Sequence, residues 1–120
     1  MKQTIFLIGN PAAGRNALRK INEAAAIIKN KGHNVEMLLT GKRGDAESFA
    51  RQISSEFGVR SSELKNNSSL ISQSRVSDTH HSSLLVIAAG GDGTYNEVIN
   101  GIACTNIPMA ILPLGTTNVL

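Results

Sequence analysis

Residues 84–89, Leu-Leu-Val-Ile-Ala-Ala, run straight into Gly90-Gly91-Asp92-Gly93-Thr94-Tyr95-Asn96-Glu97, and this junction constrains the fold more than any other stretch. The run is apolar at every position rather than at alternate ones, and it is short, which predicts a parallel strand buried on both faces. Three glycines within four positions then remove the Cβ atoms that would keep a ligand off the backbone, and they permit the positive φ values of a tight strand-to-helix turn. Thr94 and Glu97 have the spacing of a capping box, which predicts a helix from about Thr94 to Ala103. Its free N–H groups and positive dipole end would face the glycine turn, where a phosphate could lie.

The rest of the chain bounds what can surround that junction. At 120 residues, with 41% apolar and 18% charged residues, it suits one globular domain. No apolar stretch approaches the ~20 residues of a membrane span, and Met1-Lys2-Gln3 leads directly into a strand-like segment without a signal peptide, so the expected location is cytoplasmic. A net charge of +3 without a basic run, and 3% aromatic residues, argue against a nucleic-acid partner. Cys104 cannot form an internal disulfide, and its place among Val98, Ile99 and Ile102 predicts a small buried side chain.

Taken in order, residues 4–8 form a second apolar strand that ends in the turn Gly9-Asn10-Pro11-Ala12-Ala13-Gly14. A helix follows, with Leu18, Ile21, Ala25 and Ile28 on one face and Gly32 as its stop. Residues 35–39 are the next strand, breaking at Thr40-Gly41. Asp45 is the expected N-cap of another amphipathic helix, with Ala46, Phe49, Ala50, Ile53 and Phe57 as its buried stripe and Gly58 at its end. Residues 59–83, rich in Ser, Asn and charge, read as a long polar surface loop, and His80-His81 within it lacks partners at metal-ligand spacing. Residues 108–112 form a fourth strand, followed by Pro113-Leu114-Gly115-Thr116-Thr117-Asn118.

Strands alternating with helices predict an α/β fold, a layered parallel sheet with flanking helices, Rossmann-like in plan. Ligands of such sheets bind outside the carboxyl ends of the strands, so residues 10–14, Thr40, residues 90–96 and residues 115–118 should share one edge. A phosphate-bearing nucleotide fits that edge best, because two glycine turns each open onto a helix N-terminus. Two familiar nucleotide motifs do not match. Residues 9–16 nearly spell a P-loop but carry Arg15 and Asn16 where the Lys and the magnesium-binding Ser or Thr belong, and the dinucleotide fingerprint is absent after the first strand. Lys42 and Arg43 could meet a 2′-phosphate of NADP, but without that fingerprint they are weak support for it.

Three motifs in order, Asn10-Pro11-Ala12-Ala13-Gly14, then Gly90-Gly91-Asp92-Gly93-Thr94 with Asn96-Glu97, then residues 113–118, resemble those of the diacylglycerol kinase catalytic domain family. That superfamily includes sphingosine and ceramide kinases and bacterial lipid kinases. The glycine-aspartate motif by itself is shared with NAD kinases and is similar to one in phosphofructokinases; the ordered trio is more specific. The resemblance implies transfer of the ATP γ-phosphate to a lipid hydroxyl with magnesium. It implies nucleotide contacts at Asn10, Pro11, Ala12, Ala13, Gly14, Thr40, Gly90, Gly91, Asp92, Gly93, Thr94, Tyr95, Asn96 and Thr116. Asp92, the carboxylate inside the glycine turn, is then a general base toward the acceptor hydroxyl, an organiser of magnesium, or a group that ties down the turn's own backbone. No metal-ligand set is legible beyond that.

The family pattern also implies that these 120 residues are the N-terminal, ATP-binding domain of a longer protein, with a mainly β domain completing the cleft and carrying the lipid site. Any membrane contact is then peripheral. Val119 follows Asn118 where many relatives have Asp, which weakens any metal or base role there. Two rival readings are a nucleotide-binding module without catalysis and an NAD kinase-like enzyme, and the oligomeric state is not fixed by sequence.

Overall fold

The computed structural model describes residues 2–58 and 83–114. The segment 59–83 expected as a loop lies, apart from Ser83, outside the described residues, as do Gly115, Thr116, Thr117 and Asn118. Strands and helices alternate in the order β1 (Thr4–Gly9), α1 (Ala17–Asn30), β2 (Asn34–Leu39), α2 (Asp45–Phe57), β3 (Leu84–Gly90), α3 (Asp92–Ile102) and β4 (Met109–Pro113). The strands form one sheet in the order β2-β1-β3-β4, with every pairing parallel. The α/β architecture with flanking helices is therefore the one the alternation predicts.

Side-chain alternation along the two central strands divides the core between the sheet's faces. Phe6 and Ile8 of β1, with Val86 and Ala88 of β3, pack against Ala46, Ala50 and Ile53 of α2 and Val98 and Ile102 of α3. Leu7 and Ala89 point the other way, onto Ala17 and Ile21 of α1. This double coverage explains why both central strands are apolar throughout, whereas the edge strand β2 is half-buried or exposed at every position. Ile21 is fully buried, and burial of such a side chain contributes about 1.5–3 kcal/mol.

Several local expectations need correction. The buried stripe of α1 begins at Ala17 rather than Leu18, which is 44% exposed, because α1 packs its Ala17–Ile21 face on Leu7. Phe57 is also half in solvent, although its ring centroid stays 5.6 Å from that of Phe6. Cys104 is exposed, not buried: it lies beyond the end of α3, two residues after Ile102, with φ at 66°. Gly32 does stop α1, in a left-handed conformation with φ at 95°, while its N–H donates to Lys29 O.

The start of α3 differs most. The helix begins at Asp92, with Gly91 as N-cap and no side-chain cap, so the Thr94–Glu97 capping box is not formed. Thr94 lies inside the first turn, buried beneath Gly90, where an added Cβ would fall 2.5 Å from Thr94 Oγ1. Gly90 is thus required for close approach. None of the three glycines in the turn has positive φ, which corrects that expectation; among the described residues, glycines with positive φ are Gly32 and Gly44.

Candidate functional site

The strand register brings the strand exits level. Gly9 pairs with Leu39 on one side and Ala89 on the other, and Gly90 pairs with Pro113. Backbone bonds carry the alignment into the loops, since Asn10 N–H donates to Ala89 O at 3.0 Å and Thr40 N–H to Gly9 O at 2.8 Å. Leu114 N–H likewise donates to Gly90 O at 3.0 Å. The turns after β1, β2 and β3 consequently share one rim, and β4 leaves the sheet at the same end.

The strand order makes a crevice there. From β1 the chain crosses to β2 through α1 on one face, whereas the connections through α2 and α3 cover the other, so the loops after β1 and β3 diverge at this switch point. A cleft of about 350 Å³ occupies it. The β1 loop contributes Asn10 and Ala12; the β2 loop and start of α2 contribute Thr40, Gly41, Lys42, Arg43 and Ala46; α3 contributes Gly93, Thr94 and Glu97.

Each wall is shaped by local hydrogen bonds. Asn10 Oδ1 accepts the Ala12 N–H at 2.9 Å and Asn10 O accepts the Ala13 N–H at 3.0 Å, a turn for which an Asn side chain is well suited. Asp45 Oδ2 accepts the Gly41 N–H at 2.7 Å and the Lys42 N–H at 3.0 Å, and Asp45 Oδ1 pairs with Lys42 Nζ at 3.1 Å. Asp45 is therefore the first helical residue reaching back into the loop, rather than the N-cap; Gly44, with φ at 95°, occupies that position. The Gly41 amide bond, then the Lys42 partner, holds its carboxyl below the ordinary carboxylate range. Arg43 lines the cleft without a carboxylate partner among the described residues.

On the third wall the first turn of α3 has no side-chain cap, so its N-terminal N–H groups are left for solvent or an anion. Gly93 sits in this turn, and a Cβ built on it would meet nothing within 4 Å. The backbone there is open to a ligand.

Of the residues expected at a nucleotide site, Asn10, Ala12, Thr40, Gly93 and Thr94 meet in this cleft. Pro11, Ala13, Gly14, Gly90, Gly91, Asp92, Tyr95 and Asn96 are not on its lining, and Thr116 falls outside the described residues. Ala13 packs toward the α1 core. Tyr95 turns inward, its hydroxyl donating to Gly90 O at 2.8 Å; burial and then the Asp92 charge push its phenol above the ordinary value. Asp92 is exposed at the head of α3, and its carboxylate makes no hydrogen bond among the described residues, so it does not tie down the turn. No group of three His, Cys, Asp or Glu among the described residues is placed to hold a metal.

Sequence reasoning missed Gly41, Ala46 and Glu97 as cleft residues and used Lys42 and Arg43 only to weigh NADP. The available signal was position: residues 41–43 follow Thr40 at the same strand end. Glu97 was hidden by its capping-box spacing.

Comparison with known proteins gives a consistent result. The diacylglycerol kinase catalytic domain matches residues 4–120. A diacylglycerol kinase of Staphylococcus epidermidis strain ATCC 35984 is 32% identical over 122 residues, covering 98% of this chain and 30% of that protein. One from Staphylococcus aureus strain JH9 is 30% identical over 121 residues, with the same two coverages. The chain thus spans about 30% of the length of these relatives. A crystal structure of a diacylglycerol kinase from Bacillus anthracis strain Sterne aligns with a TM-score of 0.56 at 28% identity, over 97% of this chain and 34% of that one. No helix among the described residues is long and apolar enough to cross a membrane.

Proposed function

The chain belongs to the diacylglycerol kinase catalytic domain family, and from that premise we propose that it is the ATP-binding part of a lipid kinase. In this reading the cleft holds the ATP phosphates, and the γ-phosphoryl group passes to a lipid hydroxyl. The observation that carries it is the convergence of the loops after β1 and β2 with the first turn of α3 on one cleft, where α3 leaves helix N–H groups uncapped. Anionic oxygens suit those groups and the dipole behind them. Arg43 adds a positive charge at the opposite wall.

Asp92 takes the acceptor-side role, as general base toward the hydroxyl or as the carboxylate that organises magnesium. Its exposure at the head of α3 and the absence of a hydrogen-bonded partner among the described residues leave the carboxylate available for either. The described residues form no metal cage, which fits magnesium carried chiefly by phosphates and water with one or two carboxylates from the protein. Since the chain spans about 30% of its relatives, the lipid-acceptor site is assigned largely to residues outside it.

The test is thermal unfolding with ATP and magnesium, comparing the chain with Gly93→Val. A ligand at a hundred times its Kd stabilises by about 2.7 kcal/mol, enough to raise Tm by several degrees. Gly93→Val places a branched side chain in open space on the cleft wall, so the variant should fold yet show little response to ATP. An equal response in both proteins would refute the site.

A further inference from the structure

We infer that Glu97 is a positioning residue that sets the β2–α2 wall of the cleft before any nucleotide arrives; this rests on the reading that the cleft holds ATP. Glu97 Oε2 accepts the Gly44 N–H at 3.1 Å, a bond spanning 53 residues. Gly44 is the N-cap of α2, so its N–H is not part of the helix's own ladder, and it lies in the left-handed region with φ at 95°. The loop ahead of it is thus fastened twice. Asp45 fastens Gly41 and Lys42 from within, and Glu97 fastens Gly44 from α3. Arg43 lies between the two fastenings, lines the cleft and pairs with neither carboxylate.

The packing of α2 on α3 makes the bond reachable. Gly101 follows Glu97 by one helical turn on the same face, and a Cβ there would lie 2.4 Å from Ala50 Cβ and 2.9 Å from Glu47 O. Ser54 Oγ donates to Gly101 O at 2.8 Å, fixing the contact one turn further along α2. The helices therefore approach closely where Gly101 allows it, which brings Glu97 within reach of the α2 N-terminus. Glu97 itself is half-buried and lines the cleft.

The bond needs an acceptor oxygen at the end of a four-atom side chain and does not need a negative charge, so an amide can replace the carboxylate. The experiment measures hydrogen exchange at the Gly44 amide without nucleotide, and ATP affinity by calorimetry, for the full chain, Glu97→Gln and Glu97→Ala. Glu97→Ala should speed Gly44 exchange at least tenfold and weaken ATP binding about fivefold, the scale of one lost hydrogen bond. Glu97→Gln should keep Gly44 exchange within about twofold of the parent, as expected when the acceptor is retained, and should not weaken ATP binding.

Unchanged Gly44 exchange in Glu97→Ala overturns the fastening, whatever the nucleotide does. Faster exchange with unaltered ATP affinity overturns its effect on the cleft. Loss of affinity in Glu97→Gln as large as in Glu97→Ala assigns Glu97 a charged contact with ligand and overturns the positioning role. Failure of the parent chain to bind ATP would instead refute the nucleotide reading, with Gly44 exchange still deciding the fastening. Should Glu97→Ala not fold, Glu97→Gln decides the matter, since accelerated exchange in it refutes the inference.

Discussion

Asp45 shows how one carboxylate can do the work that sequence spacing distributes differently. A short acidic residue before an apolar helical stripe predicts an N-cap, yet here Gly44 caps and Asp45 turns back to two loop amides and Lys42. Because those bonds favour the charged form, its folded-state pKa lies below the unfolded value of about 3.9. A depressed carboxylate pKa contributes stability that is complete above the unfolded pKa and lost as pH falls through the folded one. Asp45→Asn should therefore unfold at a lower temperature than the parent near neutrality, and the gap should narrow steadily below about pH 4. Thermal melts at stepped pH check this; a gap constant down to about pH 2 would refute the shift. Tyr95 illustrates the opposite limit, since its place inside a binding motif says nothing about the inward rotation that joins its hydroxyl to Gly90 O.

At the scale of elements, the succession of strands and helices was legible because the central strands are short runs apolar at every position while the helices repeat their apolar residues at helical spacing, and both survive in the sheet and its two helical layers. The turns after β1 and β3 were legible through Asn10-Pro11 and the glycine cluster, and the fold brings Asn10, Gly93 and Thr94 to one cleft. Contacts between elements were not, because nothing local marks a residue whose partner is 53 positions away, as for Glu97 and Gly44. The helix start moved from Thr94 to Asp92 for the same reason: Thr94 packs under Gly90 and Glu97 reaches to another helix, which removes the two partners of a capping box. Gly101 lets α2 and α3 approach closely, since a Cβ there would meet Ala50 and the α2 backbone. Gly101→Ala should destabilise by about 2–3 kcal/mol, in the range for overpacking a tight contact, because the added methyl would meet Ala50 Cβ at 2.4 Å and backbone of Glu47 and Arg51 at 2.9 and 3.0 Å. Urea unfolding measures it, and a change below about 0.5 kcal/mol, typical of unconstrained surface sites, would show that the helices part without cost.

For the whole molecule, the order β2-β1-β3-β4 does what no single motif can, by sending the loops after β1 and β3 to opposite faces and opening the crevice between them. That geometry supports binding more fully than chemistry. Phosphoryl transfer depends on holding donor and acceptor in line and on stabilising charge away from water, whereas Asp92 stands exposed beside the cleft and is not part of its lining. Binding and turnover should accordingly separate in these 120 residues. The chain is expected to bind ATP with magnesium, yet to transfer phosphate to diacylglycerol in mixed micelles no faster than Asp92→Asn does. Radiolabelled ATP and lipid extraction measure the transfer. Transfer clearly above that variant would mean that the acceptor site lies within this chain, and the assignment of the lipid to residues outside it would fall.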